Sequence, residues 1–111
     1  MGILPPGPWW KNPEVAREIN LTPDQQKKIE DIFLQSRVQL IHMHAQLEEE
    51  QLMLEPLLST NPIDQPKALA QINKIADTRA DLEKTNAKML LSVRGVLSAD
   101  QWTKLLSLIH I

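Results

Sequence analysis

The chain contains no cysteine and no tyrosine, and only three glycines among its 111 residues. Without cysteine there can be no disulfide, thiolate metal site or cysteine nucleophile. Three glycines leave no loop to cradle a nucleotide phosphate, and neither a nucleophile elbow nor a zincin motif occurs, so an enzyme is not expected. Aromatic residues make up only 4%: Trp9, Trp10, Trp102 and Phe33. Sandwiches and barrels draw more heavily on aromatic and β-branched side chains than this. A formal net charge of −2 lacks the basic footprint of a nucleic-acid binder. No apolar run is long enough to span a bilayer. No export signal opens the chain, and Met1-Gly2 reads as an added start, so the expectation is that a natural leader has been removed.

Leu, Gln, Glu, Ala and Lys dominate, and these are strong helix formers. The length suits one domain. Three prolines and a glycine in residues 3–11, ILPPGPWWK, predict an irregular arm over residues 1–11 with Trp9 and Trp10 as anchors. A single helical domain is expected over residues 12–111. Asn12, Pro13 and Glu14 form a helix start, giving a short helix from Pro13 to about Ile19. Thr22, Pro23 and Gln25 form a capping box that opens a long helix. Along it Ile29, Phe33, Ser36, Leu40, Met43, Leu47, Glu50 and Leu54 recur in steps of four and three, a coiled-coil-like stripe. Ile32, Val38, Ile41 and Leu52 widen its apolar surface. Pro56 is expected to kink or end this helix near Glu55.

STNPI, residues 59–63, reads as a turn, with Asp64 capping the next helix and Pro66 in its first turn. Leu69, Ile72, Ile75, Ala76, Leu82, Asn86, Met89, Leu90, Val93, Val96 and Leu97 give that helix its apolar line. Gly95 weakens it near its end. Ser98 and Gln101 form a second capping box, Leu97 and Trp102 occupy hydrophobic-staple positions, and a last helix should run from Ala99 to about Ile109. The prediction is an all-α fold: a long antiparallel helical hairpin with short N- and C-terminal helices. A homodimer is expected, because a lone hairpin leaves much of its apolar stripe wet.

Two Leu-[Thr/Ser]-x-x-Gln segments flank the hairpin, Leu21-Thr22-Pro23-Asp24-Gln25 and Leu97-Ser98-Ala99-Asp100-Gln101. Together they resemble the LTxxQ signature of the Spy/CpxP family of periplasmic stress proteins, which is related to heavy-metal-resistance and sensor proteins such as ZraP and CnrX. The resemblance covers about residues 12–107. It implies a periplasmic, dimeric protein that either binds unfolded clients without ATP or senses metal stress, with unfolded proteins or a membrane sensor protein as partners. Two departures stand out. The family's chaperones present a basic concave face, whereas this chain carries Glu48-Glu49-Glu50, although Lys67, Lys74, Arg79, Lys84, Lys88 and Arg94 could supply a local basic surface. The sensors use a second His/Met pair, and here Met89 has no histidine beside it.

The residues that could carry chemistry are few. His44 and Glu48 lie four apart, on one helical face, and could share a divalent ion such as zinc, copper or nickel. His42 points to nearly the opposite side from His44, so a closed site would need ligands from the second long helix or from another copy. The alternative is a pair of solvated or partly packed histidines. Likewise Met43, Met53 and Met89 read either as thioether donors for copper(I) or as core filler. Ser36, Glu50, Arg79 and Asn86 interrupt the apolar stripes. They either set register from within or sit at a wet margin. His110 lies beside the C-terminus and reads as frayed. By themselves the capping residues Thr22, Gln25, Ser98 and Gln101 read as helix starts. Three functions follow: a chaperone-like binder of unfolded clients, a metal sensor or metal-binding resistance protein, and a structural coiled-coil module.

Overall fold

A computed structural model describes residues 7–109. Every regular element among them is helical: a 3₁₀ turn at Trp9–Lys11, then α1 (Pro13–Glu18), α2 (Pro23–Ser59), α3 (Gln65–Val96) and α4 (Ala99–Ile109). The two long helices, joined by the turn after Ser59, form the hairpin predicted from the sequence.

The helix starts follow the predicted caps. The Glu14 N–H donates to Asn12 Oδ1 at 2.9 Å, and the Lys67 N–H to Asp64 Oδ1 at 3.1 Å. α1 ends in a Schellman motif: Leu21 N–H returns to Ala16 C=O, Asn20 N–H to Arg17 C=O, and Asn20 takes the left-handed φ of 56°. Asparagine tolerates that conformation better than most side chains.

Two compact units share these elements. A terminal unit takes the chain up to Ser36 and from Asn86 onward, and a turn unit takes Arg37–Thr85. The core of the terminal unit contains Trp9, Trp10, Ile19, Ile29, Val93, Leu97 and Leu105, with Phe33, Trp102 and other half-buried side chains against it. Ile19, Ile29, Val93 and Leu105 are fully buried, each contributing about 1.5–3 kcal/mol of transfer free energy. The part of the arm within the described residues is therefore not irregular throughout. Trp9–Lys11 forms a 3₁₀ turn, Trp10 stacks on Phe33 at 4.1 Å between centroids, and Trp9 meets Trp10 edge-on. Burial of two indoles outweighs the reluctance of the proline-rich segment to become regular. Residues 1–6 of the arm, and His110, lie outside the described residues.

In the turn unit the core is thinner. On α2 the stripe members Leu40, Met43, Leu47, Glu50 and Leu54 are all buried or half-buried. On α3 the line facing inward is Ala68, Gln71, Ile75, Thr78 and Leu82. Leu69 and Ile72, expected in the core, are instead 57% and 44% exposed. The reason is the hydrogen bond from the Thr78 hydroxyl to the Glu50 carboxylate. With Thr78 inward, helical spacing brings Ile75, Gln71 and Ala68 inward, and Leu69 and Ile72 lie one residue off the line. Arg79 is exposed too and interrupts nothing buried.

Pro56 does not end α2. The helix continues to Ser59, because only its last turn follows the proline. There the Ser59 and Thr60 hydroxyls donate to the carbonyls of Glu55 and Pro56, one turn back.

Candidate functional site

Both capping boxes are made reciprocally. Thr22 N–H donates to Gln25 Oε1 at 3.0 Å and Gln25 N–H to Thr22 Oγ1 at 3.1 Å. In the second box Ser98 N–H donates to Gln101 Oε1 at 2.9 Å and Gln101 N–H to Ser98 Oγ at 3.2 Å. The sequence read these residues as helix starts, and they do more. The two glutamine side chains pair head to tail, each Nε2 donating to the other's Oε1 at 2.8 Å. The second proton of Gln25 Nε2 goes to Val96 C=O, and that of Gln101 Nε2 to Asn20 C=O, the residue in the left-handed conformation. Each amide thus uses two donors and two acceptor positions, its full capacity. A partly buried network satisfied in this way rigidifies what it joins. Here it clasps the start of α2 to the start of α4, across 76 residues of sequence.

A second polar group borders the same unit. Trp10 Nε1 donates to Glu30 Oε2, Lys11 Nζ lies 3.0 Å from Glu30 Oε1, and Gln26 Nε2 donates to the Trp10 carbonyl. The Trp10 indole N–H, followed by Lys11, holds the Glu30 carboxyl below the ordinary carboxylate range, with partial burial opposing them. Arg94 lies over the Trp102 ring at 5.6 Å. These contacts fasten the tryptophans and their neighbours.

The turn unit buries a carboxylate. Glu50 is 6% exposed and Thr78 4%. Gln46 Nε2 reaches both Glu50 Oε2 and Thr78 Oγ1 at 3.3 Å, and Gln71 Nε2 donates to the Glu50 carbonyl at 2.7 Å. Of the two readings open for Glu50, the interior one is what the structure has, while Arg79 lies at the margin. Glu50 was visible in the sequence as a polar break in the stripe; Thr78 was not, because it was never on the predicted line.

His42, His44 and Glu48 are all exposed on α2. Among the described residues no group of three or more His, Cys, Asp or Glu side chains gathers for a metal. The chain's described residues alone therefore do not assemble a site of the usual three or four ligands. Met43 and Met89 are half-buried, as core filler would be, and the Thr85 hydroxyl donates to Met43 Sδ at 3.4 Å. Met53 is 59% exposed.

Around these residues the turn unit exposes large apolar side chains. Val38, Ile41 and Leu52 on α2 are each more than half exposed, as are Met53, Leu58 and Leu69. On α2, Val38, Ile41, Ala45 and Leu52 follow helical spacing on the side opposite the buried stripe. Apolar faces of this kind mark interaction surfaces.

Two clasped capping boxes flanking a helical hairpin, with no described helix long and apolar enough to cross a membrane, define a small all-helical hairpin protein. A family model described as heavy-metal resistance matches residues 13–104, and the chain belongs to that family, which is of the Spy/CpxP/ZraP helical type. Such proteins are typically secreted or periplasmic. Neither among curated proteins nor among solved structures does any match the chain.

Proposed function

We propose that this chain is a non-enzymatic periplasmic stress protein that holds partly unfolded clients without ATP. The observation that carries this reading is the apolar face opposite the buried stripe of α2, where Val38, Ile41 and Leu52 stand in water. A monomeric protein seldom leaves so many large side chains exposed on one element unless something docks there. Met53, at 59% exposure, adds an adaptable thioether side chain of the kind promiscuous binding surfaces use. The membership in a family of the Spy/CpxP/ZraP type supports the same reading. The test is suppression of aggregation of a chemically denatured model client in the absence of nucleotide. Suppression that weakens in Ile41→Ser/Leu52→Ser is the expected result; no suppression at a several-fold molar excess would sink the reading.

The family's description, heavy-metal resistance, favours a second reading in which the chain binds a divalent metal through His44 and Glu48, with further ligands from another copy. That reading predicts that zinc, copper or nickel raises the melting temperature of the metal-stripped protein by mass action, and that His44→Ala removes the effect. A shift that survives substitution of both His42 and His44 would reject these ligands.

A further inference from the structure

Beyond Arg37 at its start, the exposed face of α2 in the turn unit has a charge of one sign. After Arg37 the next lysine or arginine is Lys67. Between them, α2 carries Glu48, Glu49, Glu50 and Glu55. Glu50 is committed to the interior by Thr78 and Gln46, whereas Glu48, Glu49 and Glu55 are exposed. Glu48 falls on the line of Val38, Ile41, Ala45 and Leu52, and Glu49 and Glu55 flank it, each three residues from Leu52. None of the three exposed glutamates has an ion-pair partner among the described residues. The apolar side chains and the unpaired anions therefore lie on one helical surface.

We propose that this surface docks cationic amphipathic polypeptide segments, whose apolar side chains cover Val38, Ile41 and Leu52 and whose lysines or arginines meet Glu48, Glu49 and Glu55. The proposal rests on the client-binding reading and assigns the class of client. Charge complementarity selects it. An acidic segment would bring like charges onto three carboxylates, and no cation on this stretch of α2 would offset them. A neutral apolar segment would cover the hydrophobic line and leave the carboxylates partly desolvated and unpaired.

The test uses the full chain and two fluorescein-labelled peptides, one of leucine, alanine and lysine and the other with every lysine replaced by glutamate, read by fluorescence anisotropy. The cationic peptide should bind about tenfold or more tighter than its acidic counterpart, from three contacts of the strength of exposed ion pairs. The preference should shrink as sodium chloride is raised. Glu48→Lys/Glu49→Lys/Glu55→Lys, whose substituted side chains are all exposed, should invert it with the helical circular dichroism unchanged. Equal binding of both peptides, unmoved by the triple substitution, would overturn the charge assignment and leave client binding standing. Failure of both peptides to bind, together with no suppression of client aggregation, would overturn both. If Ile41→Ser/Leu52→Ser instead turns a sedimenting dimer into a monomer, the face belongs to a second copy and the proposal is wrong.

Discussion

The terminal unit and the turn unit are built from stretches of the same two long helices, yet they spend their side chains differently. The terminal unit has seven buried apolar residues in one cluster, two of them tryptophans, and a glutamine pair whose hydrogen-bonding capacity is full. In the turn unit Ile75 and Leu82 are buried beside the small or polar Ala68, Thr78 and Glu50, while Val38, Ile41, Leu52 and Leu69 remain in water. Burial is thereby concentrated in one unit and most of the exposed large apolar surface in the other. Elements that bind are commonly drawn from the less stable part of a fold.

Substitutions can break this contrast, beginning with the largest effect. Trp10→Ala should cost about 3–5 kcal/mol by chemical denaturation, since it removes a buried ring stacked on Phe33. Leu52→Ala, by comparison, should stay within about 0.5 kcal/mol. Comparable losses at both sites would erase the distinction between the units. Next come Gln25→Ala and Gln101→Ala, each leaving the partner amide and a carbonyl unsatisfied, at about 1–3 kcal/mol. The double variant should cost clearly less than the sum, because the second change removes an already orphaned group. Additive losses would show that the amides do not act as a pair.

In the turn unit, Thr78→Val should cost about 1–2 kcal/mol by depriving Glu50 of its hydroxyl donor, and Glu50→Leu/Thr78→Val should recover most of it. A double variant as unstable as the single one would mean that the polar cluster stabilises more than it specifies. The smallest effect is on pH dependence. Glu30 titrates lower in the folded chain than its ordinary value. Its contribution is therefore present above the ordinary carboxylate pKa and fades as the pH falls through the folded value. Thermal melts across the acid range should show that slope flattened in Glu30→Gln. An unaltered slope would place the acid sensitivity at other carboxylates.

Much of the fold was legible because it depends on neighbours in sequence. The caps at Asn12, Thr22, Asp64 and Ser98 all read correctly, since each satisfies backbone groups two or three residues away. All eight predicted stripe positions of α2 are buried or half-buried. The errors came where a partner decides. On α3, Leu69 and Ile72 looked like better core residues than Ala68 and Thr78 by size and hydropathy alone. The line that turns inward carries Ile75 and Leu82 together with Thr78, whose hydroxyl donates to Glu50. The pairing of Gln25 with Gln101 was equally illegible: each glutamine explains itself as a local cap, and nothing in either segment points to a partner 76 residues away. At the candidate site the sequence supplied Val38, Ile41, Leu52 and the glutamate run. Their common exposure on one side of α2 required the buried stripe to be located first.

The clasp has a consequence for the medium in which the protein can stay closed. Primary amides neither gain nor lose a proton in water's ordinary range, and a neutral pair has no net charge for dissolved ions to screen. Had the ends been fastened by carboxylate and ammonium groups, as Lys11 and Glu30 are, their hold would vary with acidity and ionic composition. Fastened by two glutamines, the starts of α2 and α4 are joined by a clasp indifferent to both.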